Sequence, residues 1–321
     1  MATRKASLIF NPAAGQGNPE QDLNTIRDLL SPAFDLDIKF TKKELKTGKI
    51  AEEAVKNGAE IVIAAGGDGT LSAVAKALIR TDIPLGVVPR GTANAFASAL
   101  GIPDTIEKAC QTIINGKLRR LDVAKCNNKP MLLLAGVGFE AETVEGASRD
   151  IKSKWGALAY ILSGIKQLNN IDTFEVEIET EEKIIRTAAT AITIANVAPA
   201  TSVLAQGPAG IIGDDGFLDI TIVASNTWAS AIAASYHLLQ TGLHGDAVTR
   251  DDIGYLRAKK VKVSTEPPQK VVLDGELIGE TPIDVACVQE GLNVFVPLIP
   301  AEELKEKIEG LPGLEVEIKS D

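Results

Sequence analysis

The chain has 321 residues, of which 45% are hydrophobic and 24% charged, and its 43 acidic and 33 basic residues give a formal net charge of −10. This balance disfavours nucleic acid as a main partner, because phosphate contacts need a basic surface. No segment reaches the roughly 18 consecutive apolar residues of a membrane span, and no signal-peptide core follows the first residues. We therefore expect a cytoplasmic protein of two domains, since one domain usually spans about 100–200 residues.

The small numbers of cysteines and histidines limit the kinds of metal site and catalytic site that the chain can form. Cys110, Cys126 and Cys287 are scattered without metal-ligand spacing, which favours reduced structural thiols. His237 and His244 are the only histidines, so a Ser/His dyad or a histidine-rich metal site is disfavoured.

The first part of the chain, up to about Arg120, alternates short apolar runs with helical stretches. This alternation predicts a parallel sheet wrapped by helices, with ligands at the carboxyl ends of the strands. The predicted strands are Ser7–Phe10, Leu36–Phe40, Ile61–Ala65 and Leu85–Val88. The predicted helices are Pro19–Leu30, Ile50–Asn57, Leu71–Arg80, Thr92–Leu100 and Thr105–Asn115.

After Leu121 apolar and polar residues alternate, as in Phe174–Glu179 and Leu218–Ile222. A period of two is typical of antiparallel strands with one buried face, so the second domain is predicted to be β-sandwich-like. Two apolar helical stretches, Lys154–Gln167 and Trp228–Leu239, interrupt this pattern.

The change of pattern sets the predicted domain bounds. The first domain covers residues 1–123, and the second covers residues 124–289. Residues 290–321, with a short amphipathic helix at Ala301–Leu311, are predicted to pack back on the first domain.

Three strand-to-helix loops carry small and polar residues: Asn11–Gly17, Gly66–Thr70 and Pro89–Asn94. Backbone N–H groups in such turns, together with the helix dipole, favour phosphate. Plain turns are the alternative for the first two loops. Nothing matches G-x-x-x-x-G-K-[ST], which argues against a P-loop NTPase.

Two acidic segments of the second domain each have two interpretations. Asp274-Gly275-Glu276 lies between apolar runs and is either a hairpin turn or the source of a carboxylate that accepts a proton from a hydroxyl during phosphoryl transfer. Asp214–Asp219 is either a Mg²⁺ site or a solvated turn.

The order and spacing of four motifs resemble those of the diacylglycerol kinase catalytic family, which includes soluble bacterial lipid kinases and is related to sphingosine kinases. The motifs are Asn11-Pro12 with Gly15, Gly66–Thr70, Pro89-x-Gly91-Thr92-x-Asn94 and Asp274-Gly275-Glu276. The resemblance implies a lipid kinase that uses ATP and Mg²⁺, transfers the γ-phosphoryl group to a diacylglycerol-like hydroxyl and serves phospholipid biosynthesis. It also implies a three-layer α/β nucleotide-binding domain similar to that of NAD kinases, a β-sandwich-like domain, and an active site in the cleft between them.

The resemblance further implies roles for individual positions. Glu276 matches the general base with Asp274 beside it, and Asp68 matches a carboxylate that acts through Mg²⁺. The matching nucleotide-binding positions are Asn11, Pro12, Ala13, Ala14, Gly15, Thr41, Gly66, Gly67, Asp68, Gly69, Thr70, Thr92 and Asn94. A structural Mg²⁺ is expected at the Asp215 side chain and the main-chain oxygens of Ile212 and Phe217.

Ser72, Ala73 and Ala95 stand where many relatives carry polar residues. These positions leave open the alternative of a catalytically weak nucleotide-binding regulator. A kinase of a soluble acceptor such as NAD is a second alternative, because NAD kinases share the Gly66–Thr70 turn. A lipid acceptor implies peripheral contact with a membrane surface, for which Lys154–Gln167 and Trp228–Leu243 are the candidate segments. A homodimer is also left open.

Overall fold

The computed structural model describes residues 4–15, 17–42, 46–138, 173–198, 213–224, 233–234, 237, 250–298 and 315–318. The contacts divide the chain into unit 1 (Met1–Val123 with Gln289–Pro300) and unit 2 (Ala124–Val288 with Ala301–Asp321). Within the described ranges, no helix is both long enough and apolar enough to cross a membrane.

Unit 1 alternates strands and helices along the chain. Its first strands are β1 (Arg4–Phe10), β2 (Phe34–Phe40), β3 (Ile61–Gly66) and β4 (Leu85–Pro89). Its described helices are α1 (Pro19–Leu30), α2 (Thr47–Lys56), α3 (Asp68–Leu78), α4 (Ala95–Ala99) and α5 (Ile106–Asn115). The strand β5 (Lys117–Cys126) then leads into unit 2.

These four strands form a parallel sheet in the order β4-β3-β1-β2. The register aligns Phe10 with Phe40 and Ala65, and Gly66 with Pro89, so the four strands end along one edge. Because α1 packs against α5 and α2 packs against α3, the sheet is the middle of three layers. The predicted α/β fold is confirmed.

Local sequence explains why the first helix begins where it was predicted. Asn18 caps α1, since its Oδ1 accepts the N–H groups of Glu20 at 2.9 Å and Gln21 at 3.4 Å. Pro19 follows at the first helical position, where its missing N–H is harmless. The helix buries Ile26 and Leu30 against the rest of unit 1.

The described part of unit 2 consists mainly of strands. They are β6 (Lys129–Met131), β7 (Leu134–Gly138), β8 (Phe174–Thr180), β9 (Lys183–Ala189), β10 (Ala191–Ala195), β11 (Leu218–Val223), β12 (Ile253–Ala258), β13 (Lys260–Glu266), β14 (Lys270–Leu273), β15 (Glu276–Glu280), β16 (Ile283–Val296) and β17 (Glu315–Ile318). The predicted helix Lys154–Gln167 lies outside the described residues. Of the predicted helix Trp228–Leu239, only Ala233, Ala234 and His237 are described, and all three are helical.

The strands of unit 2 form two sheets with a shared core. One sheet has the order β12-β11-β10-β7-β14-β15, and the other contains β17-β9-β8-β13 with the first part of β16. Ile192 and Ile220 of the first sheet belong to the same buried cluster as Ile178 and Val261 of the second. Two sheets that bury their apolar faces together make the predicted β-sandwich-like domain, and that prediction is confirmed.

The chain after residue 289 does not stay with one unit. The last part of β16 pairs with β4 in unit 1, where Val294 lies opposite Leu85. By contrast, β17 pairs with β9 of unit 2, whereas the sequence predicts that all of 290–321 packs on the first domain. The alternating Glu315-Val316-Glu317-Ile318 pattern suits addition to an open sheet edge, which is the physical reason for the difference. The helix predicted at 301–311 lies outside the described residues.

Candidate functional site

The predicted nucleotide-binding loops of unit 1 meet at the carboxyl edge of its sheet. The N–H of Asn11 donates to Ala65 O at 2.9 Å, and the N–H of Thr41 donates to Phe10 O at 2.9 Å. The N–H of Arg90 donates to Gly66 O at 2.8 Å. These three bonds extend the sheet by one residue beyond the strands and fix the start of each loop.

The glycines at this edge are required by close approach. A Cβ on Gly66 would lie 2.7 Å from Thr70 Cβ, and a Cβ on Gly91 would lie 2.7 Å from Gly67 Cα. None of these three glycines has a positive φ angle, so turn geometry alone does not explain them. The loops consequently pack backbone against backbone beside the start of α3, where the first N–H groups of a helix favour an anion.

Asn11 builds the first loop instead of facing a ligand. Its Nδ2 donates to Thr70 Oγ1 at 2.9 Å, and its Oδ1 accepts the N–H of Ala13 at 3.0 Å. Thr70 is buried. The pair therefore ties the loop after β1 to the first turn of α3, and Pro12, Ala13 and Gly15 remain exposed in the same loop.

Asn94 has a similar structural task in the third loop. It adopts a left-handed conformation with φ 48°, its Oδ1 accepts the N–H of Gly91 at 2.7 Å, and its Nδ2 donates to Gly91 O at 2.9 Å. Thr92 is exposed between them and makes no hydrogen bond within the described residues. Of these two predicted residues, Thr92 is thus the one with a side chain free to meet a ligand.

Asp68 is the first residue of α3 and is partly buried. Its Oδ1 is buried and has no hydrogen-bond partner in the described part of the chain. An unpartnered carboxylate oxygen costs free energy unless a donor or cation reaches it. Since Mg²⁺ prefers carboxylate and phosphate oxygens, Asp68 fits a hard cation that accompanies a nucleotide.

Two residues that were not predicted from the sequence, Arg90 and Asp22, border this edge. Arg90 and Asp22 form an ion pair, with Arg90 Nη2 2.7 Å from Asp22 Oδ2. Both residues line a groove of about 760 Å³ that also runs along Gly91–Asn94. The signal available in the sequence was an arginine directly after a fully buried strand, because a charge at such a position needs a partner.

In unit 2, Asp274 and Gly275 form the turn of the β14–β15 hairpin. Their φ angles are 48° and 87°, and Leu273 pairs with Glu276 across the turn. Two positive φ angles between paired strands define a type I′ turn. The hairpin interpretation is therefore right about geometry, and it leaves the role of the carboxylates to be decided by their contacts.

The two carboxylates of this hairpin have different surroundings. Asp274 accepts the N–H groups of Leu132 at 3.1 Å and Leu133 at 2.8 Å, and its own N–H donates to Leu134 O at 2.9 Å. Glu276 is exposed and makes neither a hydrogen bond nor an ion pair within the described ranges. Asp274 thus fixes a neighbouring segment, whereas the Glu276 side chain has no such contact in the described part of the chain.

The predicted structural Mg²⁺ site is only partly described. Asp215 Oδ1 accepts the N–H of Phe217 at 3.0 Å, its Oδ2 is paired with Arg257, and Ile212 lies outside the described residues. The guanidinium of Arg257 also lies 4.8 Å from the Phe217 ring centre. No group of three or more histidine, cysteine, aspartate or glutamate side chains suited to a metal occurs in the described ranges. The described donors do not fit Mg²⁺ by themselves, and this site stays a prediction.

A buried ionisable cluster adjoins Asp215. The hydroxyl of Tyr255 donates to Asp219 Oδ1, and Arg257 Nε lies 3.4 Å from the same oxygen. Burial raises the pKa of Asp219 to about 7, against the lowering effects of Tyr255 and Arg257. Because Asp219 is 1% exposed, this cluster belongs to the core of unit 2.

Comparison with known proteins agrees with this architecture. The diacylglycerol kinase catalytic domain matches residues 5–126, and the YegS C-terminal NAD kinase beta sandwich-like domain matches residues 134–296. An uncharacterized protein of Synechocystis sp. is 46% identical over 307 residues, which cover 92% of this chain and 71% of that protein.

Relatives with named activities are similar over their full length. A diacylglycerol kinase of Bacillus subtilis is 30% identical over 309 residues, covering 94% of this chain and 100% of that protein. A crystal structure of a diacylglycerol kinase from Bacillus anthracis str. Sterne has a TM-score of 0.71 and 26% identity, and another chain from that organism has a TM-score of 0.78 and 28% identity. Each covers 92% of this chain and 98% of its own.

The α/β unit with its backbone-lined edge and the β-sandwich unit define a kinase of two domains. The chain belongs to the diacylglycerol kinase family, and a lipid kinase-like function follows from that membership.

Proposed function

We propose that this protein is an ATP-dependent kinase that phosphorylates the hydroxyl group of a diacylglycerol-like lipid. The observation that carries the proposal is the meeting of the loops after β1, β3 and β4 at one sheet edge, with the unpartnered Asp68 oxygen beside them. The Bacillus subtilis relative, named a diacylglycerol kinase, supports the choice of acceptor.

In the proposed binding step, unit 1 holds ATP through backbone. The N–H groups of Asp68 and Gly69 in the first turn of α3 bind the phosphates together with those of Thr92 and Ala93, and the Thr92 hydroxyl adds a donor. Asp68 would hold Mg²⁺, which when bound neutralises charge on the phosphates. Thr41 and the residues 12–15 lie at the same edge and are proposed to contact the rest of the nucleotide.

In the proposed transfer step, Glu276 accepts the proton of the lipid hydroxyl. The hydroxyl oxygen attacks the γ-phosphorus, the bond from that phosphorus to the β–γ bridging oxygen breaks, and ADP leaves. The free carboxylate of Glu276 supports this role, since a general base must have an oxygen available for the proton. Asp274, whose oxygens accept two backbone N–H groups, is proposed to support the hairpin that carries Glu276.

The test compares Glu276→Gln with Glu280→Gln, because both glutamates are exposed on β15. We expect Glu276→Gln to lower kcat by about 10²- to 10⁴-fold with ATP affinity unchanged, and Glu280→Gln to behave as wild type. Equal turnover of the two variants would contradict the assignment of Glu276.

The acceptor is tested with labelled ATP, a panel of lipids in mixed micelles, and NAD. Label in a chloroform-soluble diacylglycerol product supports the proposal. Label that appears only in a water-soluble NAD product would favour a soluble-acceptor kinase, and ATP binding without transfer to any acceptor would favour the regulator.

Peripheral membrane contact is part of the same proposal, because the acceptor resides in a bilayer. Leu277, next to Glu276 on β15, is 50% exposed and offers a described apolar side chain beside the proposed base. Sedimentation with vesicles that contain diacylglycerol should carry the protein down, and Leu277→Asp should reduce the bound fraction. Vesicles that leave the wild-type protein in the supernatant would contradict this step.

A further inference from the structure

Arg90 carries a deeply buried charge at the edge of unit 1. Its side chain is 1% exposed, and it lies between Pro89 and Gly91 at the end of β4. Burying a charge is unfavourable unless the charge is paired and hydrogen-bonded. The contacts of the guanidinium therefore show which groups compensate its buried charge.

The guanidinium of Arg90 connects three parts of unit 1. Its Nε and Nη2 donate to Asp22 Oδ2 at 3.0 and 2.7 Å, and its Nη1 donates to Asn11 O at 2.6 Å. It also lies 4.3 Å from the ring centre of Phe10, the last residue of β1. Helix α1, strand β1 and the loop after β4 are thus held by one side chain.

The same residue reaches the glycine-rich turn by two routes. Its backbone N–H donates to Gly66 O, and Asn11, which it holds, donates in turn to Thr70. A Cβ on Gly15 would lie 3.2 Å from Arg90 O, so the first loop also passes directly over Arg90. All three anion-binding loops therefore take their positions from contacts with Arg90 or with its partner Asn11.

Direct binding of a phosphate by this guanidinium does not fit its surroundings. Three of its N–H groups are already given to Asp22 and Asn11, and the Asp22 carboxylate compensates its charge. Arg90 would therefore affect phosphate binding through the positions of the loops that it contacts, and not by contacting the phosphate itself.

We propose that Arg90 is a positioning residue that sets the spacing of the three loops proposed to hold ATP. This inference rests on the proposed function. A planar fork can reach Asp22 and Asn11 O together, whereas a lysine ammonium is a single point charge on a flexible stem. The inference therefore predicts that lysine does not replace arginine here.

The experiment measures ATP affinity by calorimetry, together with KM for ATP and for the lipid. The variants are Arg90→Lys, Arg90→Met and Asp22→Asn. The control is Arg120→Met, which breaks the exposed Arg120–Glu290 pair of the same unit. We expect both Arg90 variants to bind ATP at least 10-fold more weakly, with KM for the lipid unchanged within twofold. The ATP affinity of Asp22→Asn should lie between that of the Arg90 variants and that of wild type. The ATP affinity of the Arg120→Met control should equal that of wild type.

The split between the two KM values separates positioning from a general loss of structure, which would affect both substrates. If Arg90→Met fails to fold, Arg90→Lys and Asp22→Asn carry the test. Wild-type ATP affinity in Arg90→Lys would overturn the inference, as would an equal rise of both KM values. A wild-type protein that binds ATP but phosphorylates no lipid would contradict the proposed acceptor and leave the Arg90 comparison intact.

Discussion

The carboxyl edge of the unit 1 sheet and the β14–β15 hairpin of unit 2 both carry polar residues that the sequence marks as functional. In unit 1, the side-chain hydrogen bonds of Asn11 join its own loop to the first turn of α3, and those of Asn94 close its own loop, so the surface left for a ligand is mostly backbone. In the hairpin, Asp274 likewise binds backbone N–H groups, but Glu276 has a free carboxylate. The contacts of a polar motif residue therefore show whether its side chain holds neighbouring backbone in place or is left without a partner in the described part of the chain.

The largest expected difference lies between Asp274→Ala and Glu276→Ala. Removing Asp274 leaves two N–H groups without acceptors, so we expect the free energy of unfolding to fall by about 2–4 kcal/mol. Removing Glu276 should change it by less than about 0.5 kcal/mol, because the side chain is exposed, while turnover falls by about 10²-fold or more. Denaturant unfolding and kinase assays on both variants measure this. Similar stability of the two variants would contradict the structural role of the Asp274 carboxylate and its contrast with the proposed general base Glu276.

The backbone character of the unit 1 edge is tested by Gly66→Ala against Gly69→Ala. The first substitution places a Cβ 2.7 Å from Thr70 Cβ, whereas the second meets nothing within 4 Å. We expect Gly66→Ala to lower the free energy of unfolding by about 1–3 kcal/mol. Gly69→Ala should be neutral or stabilising, because alanine is the better helix former.

Because the Gly69→Ala variant should keep its fold, its ATP affinity tests where the ligand binds. A loss of ATP affinity in this variant would place the phosphates against the start of α3. Equal destabilisation by the two alanines would mean that the close packing at Gly66 does not hold in solution.

The sequence predicted the parts of this arrangement that depend on local pattern. Helix α1 was predicted with its observed bounds, because Asn18 and Pro19 mark its start and a periodic apolar face follows. The loop tips fall at one edge because parallel strands that end together present their loops together.

The missed features depend on contacts between distant residues. Arg90 and Asp22 are 68 positions apart, and Asp274 and Leu133 are 141 positions apart. Neither spacing belongs to a helix or a strand, so no periodicity could indicate these contacts. The same reason explains β17, whose choice of β9 as a partner depends on which sheet edge was open.

A smaller effect is expected at the bond between Asn11 and Thr70. Thr70→Val keeps the shape of the side chain and removes the hydroxyl that accepts from Asn11, while Thr70→Ser keeps the hydroxyl. Since one hydrogen bond contributes about 0.5–1.5 kcal/mol, KM for ATP should rise by about 2- to 10-fold in the valine variant only. A serine variant as impaired as the valine variant would shift the explanation from the hydrogen bond to packing of the methyl group.

The smallest expected effect is on the alkylation rates of the buried thiols. Because Cys110 and Cys126 lie in different units, their rates report on the two units separately. Burial raises the pKa of Cys110 in unit 1 to about 12 and that of Cys126 in unit 2 to about 11. Because iodoacetamide reacts with the thiolate, both thiols should stay nearly unreactive from pH 7 to 9, and the half-buried Cys287 should react first. Mass spectrometry of alkylated peptides gives the rate at each cysteine, and all three should react at similar rates in denaturant.

Local opening of one unit should then expose only its own thiol. We expect Gly66→Ala to accelerate labelling of Cys110 by a few-fold and to leave Cys126 unchanged, and Asp274→Ala to do the reverse. Acceleration of both thiols by either variant would mean that the units unfold together, so that the packing of the unit 1 edge and the hydrogen bonds of Asp274 contribute to one shared stability.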